Sequence, residues 1–180
     1  MKKTIAILLC LVMALGCAAA QAAEKTNLGV VNLNGKYELH CVMPEGFTME
    51  NIHMENGCYT ANITSTDPTR PFLVLSIGFD EMLSHVKRLN DLDSETLAMI
   101  ESTFTAEYSV DISYTETAEG TKLMVVKEKN GEFADVYTVF QGYEIEFVLI
   151  PSEAGAESLS DEQIQVVIDF LSDLDFVAVE

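Results

Sequence analysis

The sequence has no tryptophan, four prolines and only ten lysines and arginines against 29 aspartates and glutamates, a formal net charge of −19 over 180 residues. So few cations exclude nucleic acid and anionic lipid as partners, because both are bound by clustered Lys and Arg. A small chain without Trp is a poor candidate for a sugar cleft. Long apolar runs are also scarce. The most extended one, residues 5–15, is too short to span a bilayer well, and nothing after it could serve as a transmembrane segment. Catalytic signatures are missing too. There is no Gly-x-Ser-x-Gly elbow, and Ser76-Ile77-Gly78 and Ser84-His85 have no basic partner placed to activate a hydroxyl.

What is present starts with an export leader. Lys2 and Lys3 precede the apolar run, and Ala20-Gln21-Ala22 supplies small residues for cleavage. Residues 1–23 read as a signal peptide of bacterial type. Its removal takes both lysines with it and deepens the charge to −21. Ala14-Leu15-Gly16-Cys17 is an imperfect lipoprotein box, which makes Cys17 a candidate for acylation and a lipid anchor the alternative to secretion. Cys10 and Cys17 lie in the leader, so Cys41 and Cys58 remain as a candidate disulfide in an oxidising compartment. Strand parity opposes that bond: Cys41 falls on the inward side with Tyr37 and Leu39, whereas Cys58 falls opposite Tyr59, Ala61 and Ile63.

The rest divides into a polar lead-in, residues 24–36, and one domain, residues 37–180. Strands are expected over 37–43, 47–54, 58–64 and 72–79, the last apolar on both faces, with a hairpin at Glu55-Asn56-Gly57. A helix over about 94–106, capped by Asp93, presents Leu97, Ile100 and Phe104 on one face. Alternation then predicts a four-strand meander over about 110–150, turning at Gly120, Asn130-Gly131 and Gln141-Gly142. Ser160 and Gln163 form a capping box for a second amphipathic helix over about 161–173, with Ile164, Val167, Ile168 and Leu171 on its apolar face. An edge strand at 176–179 closes the pattern. Runs of strands with few helices make this an α+β domain with a mainly antiparallel twisted sheet.

This order of elements, with a strand ending in Pro44-Glu45-Gly46-Phe47 and a terminal amphipathic helix, resembles the PsbP-like fold across residues 37–179. The resemblance implies an exported or lipid-anchored accessory or binding protein. It brings no shared catalytic set.

Hairpin registers sharpen the reading. Turns at Asn130-Gly131 and Gln141-Gly142 pair Val125 with Val136, and Val136 with Phe147. Leu123, Phe140, Tyr143, Ile145 and Leu149 then share that face, which receives the terminal helix. The other face carries Met124, Val126, Tyr137, Val139 and Val148, with Lys122, Asp135, Glu144 and Glu146 among them. Tyr114 and Ile112 join it if the preceding loop is three residues long. This second face is either covered by the first helix or left partly open. Tyr114, Met124, Tyr137 and Glu146 are its candidate binding residues for a protein or small ligand.

No cofactor is implied and no metal site emerges. His40, His53 and His85 with Cys41 and Cys58 match no zinc spacing. Asp91, Asp93 and Glu95 fail as a calcium loop, because Thr96 and Ser102 stand where Gly and Glu are needed. Asn62-Ile63-Thr64 is a glycosylation sequon, of little meaning behind a bacterial leader. The expectation is an exported, non-enzymatic binding domain. A small secreted hydrolase with carboxylate chemistry and a passive acidic envelope protein holding divalent cations weakly are the alternatives.

Overall fold

Two antiparallel sheets, two helices and two short 3-10 turns make up the computed structural model, which describes residues 28–118, 120–152, 158–172 and 174–179. The leader and Cys17 lie outside these residues. Strands β1 (Leu28–Leu33), β2 (Tyr37–Val42), β3 (Phe47–Glu55), β4 (Cys58–Ser65) and β5 (Phe72–Phe79) precede helix α1 (Ser94–Glu107). Strands β6 (Val110–Glu116), β7 (Lys122–Glu128), β8 (Ala134–Phe140) and β9 (Tyr143–Ile150) follow, then helix α2 (Asp161–Ser172) and strand β10 (Asp175–Ala178). The fold is α+β and close to the expected order, with boundaries shifted by a residue or two. Among the described residues no helix is long and apolar enough to cross a membrane.

The large sheet runs β3-β4-β5-β9-β8-β7-β6 and the small one β1-β2-β10. The expected registers hold: Val125 pairs with Val136, Val136 with Phe147, and Tyr114 with Met124. Gln141 and Gly142 both take positive φ, 51° and 81°, which is the two-residue turn whose twist suits a hairpin. The lead-in is corrected. Residues 28–33 are a strand, and its Val31 and Leu33 are buried. A three-residue turn, Asn34-Gly35-Lys36, with φ 57° and 68° at Asn34 and Gly35, returns it to β2.

The first face of the large sheet is sealed. The small sheet lays Val31, Leu33, Leu39 and Cys41 on Ala61, Ile63, Leu75 and Ile77. Beside it, α2 buries Ile164, Val167, Phe170 and Leu171 against Val125, Val136 and Phe147. Phe170 meets the Phe147 ring edge-on at 5.0 Å. Ile168, expected at the centre of this contact, is only partly buried. The capping box forms: Ser160 N–H donates to Gln163 Oε1 at 2.9 Å, and Gln163 N–H to Ser160 Oγ at 3.3 Å.

The second face is covered less completely. Leu83 and Leu89, from the 3-10 turns after β5, and Val86, from the link between those turns, pack with Met124, Val126, Tyr137 and Val139. Helix α1 completes this smaller core. It is capped as expected, with Asp93 accepting from the Glu95 and Thr96 amides at 3.0 and 2.8 Å. Of its expected face only Ile100 is fully buried, while Leu97 and Phe104 are half-buried.

Candidate functional site

The incomplete cover has a cause in side-chain size. Where α1 rests, the second face presents Met124, Val126, Tyr137 and Val139 from β7 and β8. On β4 and β5 the same face presents Cys58, Ser76 and Gly78, which are small. A rigid helix propped on large residues cannot also touch small ones farther along the sheet. A cavity of about 440 Å³ remains beneath it, floored by Ser76, Gly78 and Cys58 and roofed by Met99, Ile100 and Phe104. That volume lies within the range of small-molecule sites.

Acidic groups line the rest. Glu144 and Glu146 from β9 and Asp80 from the end of β5 reach the cavity beside Tyr137 and Tyr108. The Tyr137 hydroxyl donates to Glu144 Oε1 at 2.6 Å, and the Tyr137 ring meets Phe104 edge-on at 6.2 Å. Burial raises the Glu144 carboxyl above its ordinary range, and the nearby charges of Asp80 and Glu146 add to this against the Tyr137 hydrogen bond. Tyr137 is raised as well, through burial and then through its bond to Glu144. Behind Glu146, on β8, Asp135 is 3% exposed. Burial and a hydrogen bond with Glu146 push its carboxyl well above the usual value, so it favours the protonated form. Its Oδ1 is buried and has no partner among the described residues.

The four residues expected at this face do different things. Tyr137 and Glu146 are brought together at the cavity. Met124 is fully buried beneath α1. Tyr114 lies outside the cavity: its hydroxyl donates to the Glu101 carboxylate of α1, and its ring lies 4.2 Å under the Lys122 ammonium. Asp80, Ser76, Cys58 and the α1 wall did not stand out in the sequence. The usable signal was Ser76 and Gly78 breaking an otherwise apolar strand.

The candidate disulfide is corrected. Cys58 carries a free thiol 3.2 Å from Ser76 Oγ, on the cavity side of the large sheet. Cys41 belongs to the core on the other side, where burial pushes its thiol up to about 12. The parity conflict visible in the sequence is therefore physical, with a sheet between the two residues. Among the described residues no group of three or more His, Cys, Asp or Glu is arranged to hold a metal ion.

A larger hollow, about 550 Å³, lies between Pro44, Phe47 and the start of α2. Its Arg70 is already engaged, donating to the Glu45 carbonyl at 2.8 Å and lying over the Phe47 ring. The α2 amide of Gln163 there is satisfied by the capping box. The cavity under α1, with its desolvated acids, is the better candidate despite its smaller volume.

No family model matches this sequence, and none of the curated proteins does. Among solved structures, the chain is similar to the solution structure of cyanobacterial PsbP (CyanoP) from Synechocystis sp. PCC 6803. Identity is 12%, the match covers 86% of this chain and 95% of that one, and the TM-score is 0.46.

Proposed function

We propose that the protein is an exported, non-enzymatic binding domain that holds a small ligand in the cavity between α1 and the large sheet. The observation that carries this reading is the cavity itself, left open because α1 rests on Met124 and Tyr137 while Ser76 and Gly78 give the floor little height. Gly78 provides the test. A Cβ at this position would meet only Cys58 Sγ, at 4.0 Å, an ordinary contact. Gly78→Val therefore fills the floor without backbone strain, and a β-branched residue suits a strand interior better than glycine does. In a small-molecule screen followed by amide NMR, hits should shift Ser76, Ile100 and Thr103 in the native chain. The same hits should lose their effect in Gly78→Val while the melting temperature stays level or rises. Hits that survive this substitution would sink the reading.

Carboxylate hydrolysis is the second reading. It is favoured by one observation: Asp135, biased toward protonation, lies diagonally across the β8–β9 pair from Glu146, which lines a concave site. Turnover of a glycoside or ester panel that disappears in Glu146→Gln would install it in place of binding.

A further inference from the structure

We propose that the ligand of this cavity is a small organic cation, a protonated amine carried on an apolar stem. The inference rests on the cavity being the ligand site and adds the chemical class of what fills it.

Three observations converge. The first is uncompensated charge. Asp80, Glu144 and Glu146 face the cavity, and no Lys, Arg or His lines it. Among the described residues the ion pairs join Glu38 to His40, Asp67 to Arg70, Asp161 to Lys127 and Asp111 to Lys129. None of them reaches these acids. A desolvated carboxylate without a counter-charge is costly, and a bound cation removes that cost.

The second is the Asp135 carboxyl. It sits on the cavity face of the sheet, diagonally across the β8–β9 pair from Glu146, with Oδ1 buried and unpartnered among the described residues. The acid network is short of donors as well as of positive charge. A ligand ammonium that took over Glu146 would supply both.

The third is the roof. Met99 and Tyr108 line the cavity while remaining 45% and 52% exposed, next to Ile100 and Phe104. That wall suits an alkyl or aromatic stem, and aromatic faces attract cations. A metal ion fits this lining poorly, since five of its twelve residues offer no side-chain oxygen and no metal-holding group occurs among the described residues.

Three probes of one length separate the alternatives: n-hexylamine, 1-hexanol and hexanoate, titrated at neutral pH and followed by calorimetry and amide NMR. Hexylammonium should bind at least about tenfold more tightly than hexanol, the factor expected of one charge-assisted hydrogen bond, and hexanoate should not bind. Glu144→Gln keeps an oxygen for the Tyr137 hydroxyl, so it should fold. It should weaken hexylammonium by about tenfold and leave hexanol unchanged. Gly78→Val should abolish both. If hexanol binds as tightly as hexylammonium and Gly78→Val removes it, the cavity is a ligand site but the cation class is wrong. If hexylammonium binds equally to Gly78→Val, it is only condensing on an acidic surface, and the proposal is overturned. If none of the three binds, the cavity reading falls with it.

Discussion

The two faces of the large sheet carry helices of similar length with opposite results. On the first face α2 buries Ile164, Val167, Phe170 and Leu171, and the small sheet fills the remaining area. On the second, α1 fully buries Ile100 alone and stands off the β4–β5 floor. The desolvated carboxyls Asp135 and Glu144 lie on this looser side. The contrast separates a face that holds the fold from a face with room to bind. Polar groups that would be intolerable in the tight core are accommodated where packing is already relaxed.

Mutations can break this contrast. Phe170→Ala should be the most damaging, costing about 3–5 kcal/mol in denaturant melts, because a buried ring facing Phe147 leaves a cavity that the sealed core cannot close. Ile100→Ala on α1 should cost about 1–2 kcal/mol, since this side chain already borders open space and loses less packing. Equal losses at the two positions would mean that the faces do not differ as described. Ser160→Ala, which removes the α2 cap, should cost about 1 kcal/mol and leave ligand binding untouched.

Asp135→Asn changes the shape of the stability curve more than its height. The folded-state value of Asp135 is raised above the ordinary 3.8. Above pH 3.8 the unfolded chain loses a proton that the native state retains. Stability therefore falls as pH rises from there through the folded value, and is constant beyond it. The Asn variant lacks this decline. Glu144, raised in the same sense, keeps a residual slope of the same sign. Native and variant melts that run parallel across this window would show that Asp135 is not held protonated.

Much of the fold was legible because strand periodicity is strict. One register at the Gln141-Gly142 turn assigns Val136 and Phe147 to one face and Tyr137 and Glu146 to the other. β1 was missed because its asparagines read as loop, although Asn34-Gly35 is as strong a hairpin signal as the dipeptide at 130–131. Phe170 was missed at the edge of the α2 stripe. The helix is wrapped by two sheets, so its buried arc is wider than one face and reaches Phe170, while Ile168 turns partly outward. The cavity was the least legible feature. Its height depends on where α1 comes to rest, and that is set by Met124 and Tyr137 from strands distant in sequence, beyond the reach of local pattern.

The small sheet also has a bearing on timing. Its middle strand, β2, is flanked by the first described strand and by the last, β10, so Tyr37 pairs with both Leu33 and Ala178. The β2 edge stays open until residues 175–178 are available, and closure over so long a loop is slow. The small sheet therefore cannot be completed before β10 has been made. In an exported protein, which we propose this one to be, such late closure leaves β1 and β2 unlatched until four residues distant in sequence dock beside them.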